Sequence, residues 1–354
     1  MTVDKNFEAV LKSFSKDVAK MEGVSTDDRP PRYWYDSGNY VLNYIMSGSM
    51  YHAVPQGRLT CLAGPSSSGK SFIQCNITAN AQKDGETFVV MIDSENALDK
   101  EFTSKIGVNT DPSQYMYISA ITIKHVTDLI STFIKSYRAN NKDNLEAGRR
   151  VLIVIDSLDM LMTESEFDAF QKGDNKGDQG QRAKQYKALL RYLVQEIKDL
   201  NIAVVVTHQV YKASADQLLA GEGTWVVNGA VRYSLSQIML ITRLKLKGEA
   251  GNITGVRMKC EGFKTRFTKP FQTVTVEVPY DTGCDRWSGF TDMAQQIGVL
   301  ERRGSYLRIV GTEIQFYAKN VEDYAEELLG RCEHVLKSVT MKAVVEEDDE
   351  DDSE

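Results

Sequence analysis

Short runs of apolar, mostly β-branched residues recur along the chain, and each of them ends at a small or polar residue. The four clearest runs, each with the residue that follows it, are LTCLA at 59–63 with Gly64, FVVMI at 88–92 with Asp93, VLIVI at 151–155 with Asp156 and IAVVV at 202–206 with Thr207. Runs without polar alternation are typical of strands that are covered on both faces of a sheet. The pattern therefore predicts a buried, mostly parallel sheet.

Apolar residues at helical spacing lie between these runs, near 71–83, 99–106, 124–138 and 182–199. The alternation of strands and helices predicts an α/β fold with a doubly wound sheet. Ligands of such sheets bind beyond the carboxyl ends of the strands. Because all four polar residues stand at those ends, we expect the functional site there.

The pattern changes on both sides of this α/β core, which we place at residues 36–287. Residues 1–35 combine a short amphipathic helix with a Pro- and Asp-containing linker, and the helix packs either on its own domain or on a neighbouring protomer. The core ends in alternating runs that predict antiparallel strands added to the sheet. Residues 288–340 predict a small α+β appendage, with a hairpin around Gly311 and a helix from about 320.

The net charge of −7 is concentrated in the last residues of the chain. Residues 346–354 read EEDDEDDSE, and the rest of the chain is close to neutral. Such a run cannot bury enough apolar surface to fold, so we predict a disordered acidic tail at 341–354. The tail acts either as a solubility segment or as a strip that competes with a polyanionic ligand.

Cysteine usage and hydropathy restrict the class of protein. The five cysteines form no C-x-x-C pair and no cluster with histidines, which argues against a structural zinc site and a disulfide framework. No apolar run approaches the roughly 18 residues that a membrane-spanning helix needs. We therefore expect a cytoplasmic protein without a membrane partner.

Residues 64–71 read GPSSSGKS and match the phosphate-binding pattern G-x-x-x-x-G-K-[ST] between a predicted strand and a predicted helix. Glycines at both ends let the backbone N–H groups face the phosphates. Lys70 would reach the β- and γ-phosphates, and the Ser71 hydroxyl would bind Mg²⁺. The nucleotide contacts predicted here are Gly64, Pro65, Ser66, Ser67, Ser68, Gly69, Lys70, Ser71 and Phe72.

Two carboxylates at predicted strand ends are the further residues that the site of a nucleoside triphosphatase needs. Asp156 fits the position that holds Mg²⁺ through water, and the alternative is an aspartate that caps a helix. Glu95, in MIDSENALD, could orient or deprotonate the attacking water. The sequence therefore predicts a site for a nucleoside triphosphate with Mg²⁺.

Several segments resemble those of one family when they are taken together and in order. They are GRLTCLAGPSSSGKS, MIDSENALDKEFTSKIGV, VLIVIDSL, VVVTHQV, NGAVRYS and FKTRFTKPF. Over residues 36–290 the chain resembles the RecA-like homologous recombinases, and most of all the UvsX-type recombinases of large tailed phages. The resemblance implies a RecA-like P-loop ATPase core that binds ATP and Mg²⁺.

The resemblance also implies roles for single residues around the nucleotide. Glu95 corresponds to the general base of ATP hydrolysis, and Gln209 to the residue that senses the γ-phosphate. Asp99 and Phe102 correspond to contacts of the adenine base, with phenylalanine where the family usually has tyrosine. Lys264 and Arg266 correspond to a basic pair that reaches the ATP of the neighbouring protomer, as cations supplied in trans stabilise charge on phosphates.

Two polar segments, 163–181 and 211–231, correspond to the family's DNA-binding loops. In them, basic side chains would meet phosphates, and an aromatic residue would wedge between bases. These DNA-binding candidates are Lys172, Lys176, Arg182, Lys212 and Arg232 for the phosphates and Trp225 for the bases. Each single residue could equally be an exposed loop residue, so the prediction concerns the loops as a whole.

The family implies a function that the residues alone do not. We expect an ATP-dependent DNA recombinase that forms a helical filament of identical subunits on single-stranded DNA and pairs it with homologous duplex DNA. Such proteins work with single-strand-binding and loader proteins, in the bacterial host cytoplasm if the chain is phage-encoded. The alternatives are a hexameric helicase of the same fold, which forked-duplex unwinding would reveal, and a regulatory ATP-binding oligomer, whose ATPase would ignore DNA.

Overall fold

A computed structural model of the chain describes residues 5–18, 30–174, 180–214, 224–248 and 251–350. The chain forms two units, one up to Arg32 and one from Tyr33 onwards. In the first unit, helix α1 (Lys5–Val18) carries its apolar residues at helical spacing. The second unit contains all the remaining elements.

The helices of this second unit are α2 (Tyr40–Ser47), α3 (Lys70–Ala81), α4 (Lys100–Ile106), α5 (Ile123–Asn140), α6 (Glu164–Gln171), α7 (Gln181–Ile197), α8 (Gly229–Ser234), α9 (Phe290–Gln296) and α10 (Ala325–Glu350). Its strands are β1 (Trp34–Tyr35), β2 (Val54–Pro55), β3 (Leu59–Gly64), β4 (Thr87–Asp93), β5 (Tyr115–Ser119), β6 (Arg150–Asp156), β7 (Ile202–Gln209), β8 (Tyr211–Lys212), β9 (Trp225–Val226), β10 (Gln237–Lys247), β11 (Ile253–Lys264), β12 (Thr273–Pro279), β13 (Leu300–Arg303), β14 (Tyr306–Ile309) and β15 (Gln315–Phe316). In the described residues, no helix has both the length and the apolar character that crossing a membrane requires.

An eight-stranded sheet in the order β12-β11-β10-β3-β7-β6-β4-β5 forms the centre of this unit. The six strands from β10 to β5 pair in parallel, whereas β11 and β12 are added antiparallel at one edge. The predicted α/β fold, with a mostly parallel sheet and an antiparallel extension, is therefore confirmed. The register sets Gly64 beside Gln209 and Asp93 beside Asp156, so the polar strand ends do meet at one edge.

Helices cover both faces of the sheet, which explains the uninterrupted apolar runs. Along β4, Val89 and Met91 belong to one buried cluster, and Val90 and Ile92 to the cluster on the opposite face. Residues of α2 and α3 complete the first cluster, and residues of α5 and α7 complete the second. Every position along such a strand is therefore apolar, whichever face it points to.

The C-terminal region packs onto the first of these clusters. Phe290 on α9 is fully buried, and its ring centroid lies 4.8 Å from that of Trp287 and 6.1 Å from that of Tyr40 on α2. Three short strands follow, paired in the order β13-β14-β15. The turn around Gly311, with φ of 79°, joins β14 to β15 as a hairpin.

Several elements differ from the prediction. Strand β5 at the sheet edge was not predicted, because its five residues, YMYIS, form neither a long apolar run nor an alternation, and Met116 and Tyr117 are 51% and 44% exposed. The last helix continues to Glu350, where the sequence predicted a disordered tail from residue 341. A helix that has already formed extends at little cost, because each added residue contributes a hydrogen bond without a new nucleus.

Candidate active site

The segment between β3 and α3 has the backbone of a phosphate-binding loop. Gly69 has φ of 101°, in the left-handed region that favours glycine. A Cβ atom on Gly64 would collide with the carbonyl oxygen of Ile241 and with Ser68 Oγ. At the start of α3, no side chain caps the backbone N–H groups. The two glycines are therefore required by geometry, and the helix terminus is open to an anion.

Two side chains of the loop fit a bound triphosphate. The Ser68 hydroxyl is buried and has no hydrogen-bond partner among the described residues, as expected of a group that meets a ligand. Lys70 Nζ donates to the carbonyl oxygens of Gly64 and Pro65, at 3.0 Å each. Burial lowers the pKa of Lys70, against the attraction of nearby carboxylates such as Asp156. Lys70 Nζ therefore lies over the backbone of the loop.

Asp156 lies beside Ser71, the other predicted magnesium ligand. It is 4% exposed, and burial raises its pKa although the hydroxyls of Thr207 and Ser71 donate to its carboxylate. It caps no helix, since Thr163 is the N-cap of the next helix. Among the described residues, no group of three or more His, Cys, Asp or Glu side chains could hold a metal ion. Ser71 and Asp156 would therefore hold Mg²⁺ together with phosphate oxygens and water.

The loop that carries Glu95 is anchored by the buried carboxylate of Asp93. Its Oδ1 accepts the backbone N–H groups of Glu95 and Asn96, both at 2.9 Å. Its Oδ2 accepts the N–H of Leu98 at 3.1 Å and the hydroxyl of Tyr117 at 3.0 Å. One aspartate therefore fixes the backbone around the candidate base.

The side chain of Glu95 is oriented from the neighbouring strand. Ser157 Oγ donates to Glu95 Oε1 at 2.6 Å, and Ser157 is 2% exposed. The two strand ends are joined further, since Ser94 N donates to the Asp156 carbonyl oxygen at 2.9 Å and Ser157 N donates to Ser94 Oγ at 3.0 Å. Ser157 therefore donates to one oxygen of the exposed Glu95 carboxylate, Oε1, and not to the other, Oε2.

Gln209 lies beside the loop at the end of β7. Its backbone N–H donates to Asp159 Oδ2 at 2.5 Å, and the register places it opposite Gly64. His208, 2% exposed, has Nδ1 at 3.0 Å from Asp159 Oδ1. The structure thus gathers Lys70, Glu95, Asp156 and Gln209 at adjacent ends of parallel strands.

Comparison with known proteins gives the family. Residues 2–285 match the RecA N-terminal domain family. The chain belongs to this family. It is similar to protein RecA 2 of Myxococcus xanthus, with 26% identity over 274 residues that cover 77% of this chain and 72% of the relative. Protein RecA of Rickettsia canadensis is 24% identical over 349 residues, which are 96% of this chain and 94% of the relative.

The two predicted base contacts of this RecA-family chain, Asp99 and Phe102, are exposed at α4. Asp99 is the N-cap of this helix and accepts the N–H of Glu101 at 2.9 Å, while the Phe102 ring is 40% exposed. A cavity of about 450 Å³ opens next to them, lined by Leu98, Lys100, Thr103, Thr110, Tyr115 and Tyr117. An exposed ring at this point is able to stack on a base.

The predicted basic pair of the RecA-family chain lies at the far end of β11, with Arg232 of α8. Lys264 Nζ donates to the carbonyl oxygen of Arg232 at 2.6 Å. Burial lowers the pKa of Lys264, and repulsion by Arg266 and Arg232 adds to this effect. Arg266 is exposed. The three cations therefore form one cluster that connects the predicted second DNA loop to the predicted trans-acting pair.

The other DNA-loop candidates have different surroundings. Arg182 donates to Glu166 Oε1 at 2.5 Å, so a carboxylate compensates its charge within the chain. Lys172 is exposed at the end of α6, whereas Lys176 lies outside the described residues. Lys212 is exposed and pairs across the β8–β9 ribbon with Trp225, which is half-buried against the core.

Sequence reasoning missed three polar residues of the site. Ser157 contacts Glu95, Asp159 contacts Gln209, and Thr207 contacts Asp156. In each pair, the two residues come from segments that are distant in the chain. Thr207 was visible only as the polar residue after an apolar run. For Ser157 and Asp159, the one available signal was their position just after such a run.

Proposed function

We propose that this chain is a DNA-dependent ATPase and recombinase, which uses ATP with Mg²⁺ to form a helical filament on single-stranded DNA and to pair it with homologous duplex DNA. Membership of the RecA family and relatives named RecA support this function. The observation that carries it is the contact of Ser157 with Glu95 beside Lys70 and Asp156, because it sets a candidate base next to a phosphate site.

In this proposal the chain's residues bind the nucleotide and orient water. The loop N–H groups, Ser68 and Lys70 hold the phosphates, and bound Mg²⁺ neutralises charge on the β- and γ-phosphates. Glu95 accepts a proton from the attacking water at Oε2, since its Oε1 already accepts the Ser157 hydroxyl. Gln209, beside Gly64, reports the loss of the γ-phosphate to the second DNA loop.

The same nucleotide would drive assembly of the filament. Lys264 and Arg266 of one copy reach the ATP of the next, so that ATP binding stabilises the interface between the two copies and hydrolysis weakens it. The two loops hold the strand by its backbone, and base pairing supplies the sequence specificity. The finer assignment is a UvsX-type recombinase of a tailed phage, acting on DNA in the host cytoplasm with single-strand-binding and loader proteins.

The test is ATP turnover with and without single-stranded DNA, with electron microscopy of the same mixtures. Wild-type protein should be stimulated by DNA and form filaments. Lys70→Ala should lower turnover by at least about 100-fold, since the lysine contacts the transferred phosphate. Lys105→Ala, which removes an exposed lysine paired with Glu101, is the matched control.

Three results would contradict the proposal. They are normal turnover by Lys70→Ala, a wild-type ATPase that ignores DNA, and particles that are closed rings unwinding a forked duplex. The second result would favour a regulatory ATP-binding oligomer, and the third a hexameric helicase.

A further inference from the structure

The side chain of Asp159 contacts the end of β7, although the fold of its own segment does not require an aspartate. Its side chain is 14% exposed and faces the end of β7. There Oδ2 accepts the backbone N–H of Gln209 at 2.5 Å, and Oδ1 lies 3.0 Å from Nδ1 of the buried His208. A largely buried carboxylate is costly unless hydrogen bonds satisfy it. Among the described residues, the Gln209 N–H is therefore the hydrogen bond that satisfies this carboxylate, since His208 Nδ1 lies close to it without forming one.

Other contacts already attach this segment to the fold. Leu158 N donates to the carbonyl oxygen of Thr207 at 3.1 Å, and the Tyr186 hydroxyl donates to the carbonyl oxygens of Leu158 and Leu161. The N-cap of the following helix is Thr163. Neither the loop path nor the helix start thus needs an aspartate at 159.

The position of Asp159 connects two regions that the proposed function uses separately. It lies four residues before Thr163, where the predicted first DNA loop begins. Its carboxylate accepts the backbone N–H of Gln209, two residues before Tyr211, where the predicted second loop begins. A carboxylate that accepts a backbone N–H fixes that peptide group by a charge-assisted hydrogen bond. The backbone position of Gln209 is therefore set from the segment before the first loop.

We propose that Asp159 is a positioning residue, which holds Gln209 in register with the segment before the first DNA loop and so couples DNA binding to ATP turnover. The proposal rests on the proposed function. DNA that binds the first loop displaces the 158–162 segment, and Asp159 transmits this displacement to the backbone of His208 and Gln209 beside Gly64. Without the carboxylate, the nucleotide site and the DNA loops remain, but they act independently.

The experiment compares Asp159→Ala, Asp159→Asn and wild type, with Asp143→Ala as a control for loss of an exposed acid elsewhere. ATP turnover is measured with and without oligothymidylate. Hydrogen–deuterium exchange of the 202–212 backbone without nucleotide gives a readout independent of activity. In Asp159→Ala, we expect the ratio of stimulated to basal turnover to fall about tenfold, the factor of one charge-assisted hydrogen bond, and exchange at Gln209 to rise. Asp159→Asn should fall in between, because its amide oxygen still accepts the N–H.

Two results in Asp159→Ala would overturn this inference and leave the proposed function intact. One is an unchanged ratio of stimulated to basal turnover together with unchanged exchange. The other is an equal loss of basal and stimulated turnover, which would show a merely structural role. If Asp159→Ala does not fold, Asp159→Asn carries the test, and an unchanged ratio in that variant overturns the inference. Wild-type turnover that ignores DNA overturns the proposed function itself, and this inference with it.

Discussion

The hydroxyl of Ser157 determines where the candidate base points. It donates to Glu95 Oε1 at 2.6 Å from a position that is 2% exposed, whereas Glu95 itself is on the surface. A surface glutamate without such a donor samples several rotamers. The hydroxyl therefore supplies orientation, which affects chemistry more than binding.

Ser157→Ala should lower kcat for ATP about tenfold and leave KM for ATP nearly unchanged, because the lost contact orients Glu95 and holds no phosphate. Steady-state ATPase assays give both constants. Ser136→Ala, on the exposed face of α5, is the control. A raised KM at normal kcat would mean that Ser157 serves nucleotide binding instead.

At the scale of residues, sequence predicts what is local. Gly64, Lys70 and Ser71 are recognisable because one loop and one helix terminus make the site. Ser157 and Asp159 act on residues about 50 to 60 positions away, across strands that only the sheet order makes neighbours. Their partners depend on the register, which the apolar runs do not specify.

Helix α6 begins with a reciprocal cap that also connects it to α7. The Thr163 hydroxyl accepts the N–H of Glu166 at 3.1 Å, and Glu166 Oε2 accepts the N–H of Thr163 at 2.7 Å. Glu166 Oε1 accepts Arg182 of α7. Partial burial would raise the pKa of Glu166, but Arg182 and the Thr163 N–H outweigh it and hold the pKa below its usual range.

The pH dependence of stability follows from this lowered pKa. The Glu166 contacts stabilise the fold at neutral pH and are lost as the pH falls below about 4.5, through the lowered pKa. Glu166→Gln should therefore cost about 1 kcal/mol of unfolding free energy at pH 7, because the ion pair is partly exposed, and much less near pH 3. Urea unfolding of both proteins at the two pH values measures this. A difference that persists at pH 3 would contradict the assignment to the charge.

At the scale of elements, the sequence predicts strands with a regular pattern, either an uninterrupted apolar run or an alternation, and misses short elements without one. The residues of strand β5, YMYIS, are typical of strands, but five residues form neither a long apolar run nor an alternation. The α2 helix was likewise missed, and its eight residues are almost all buried, which removes the amphipathic pattern. The antiparallel strands β10 to β12 were predicted, since their alternation survives.

At the scale of the whole molecule, one cluster of cations lies where two predicted surfaces meet. Lys264 contacts Arg232, a predicted DNA-binding residue, and Arg266 is exposed. Burial lowers the pKa of Lys264, and repulsion by Arg266 and Arg232 lowers it further. An anion from outside the chain would relieve this repulsion, and in the proposed filament the ATP of a neighbouring copy would supply it.

Arg266→Ala should bind nucleotide like wild type as a monomer, but form few filaments and lose most DNA-stimulated turnover, since a cation that acts in trans contributes about 10³-fold or more to rate in related phosphoryl transfer. Light scattering, electron microscopy and nucleotide titration separate the two effects. Lys269→Ala, an exposed neighbouring cation, is the control. Filaments of normal length and turnover from Arg266→Ala would exclude the trans role.

The junction of Ser94 with Asp156 and Ser157 has a practical consequence for protein engineers. Because the two strand ends share three hydrogen bonds, the segments that carry Glu95 and Asp156 are connected directly to each other. Grafting this chemistry onto another scaffold would require both strand ends to be transferred together. A loop that carried the glutamate alone would lack the hydrogen bonds that orient it.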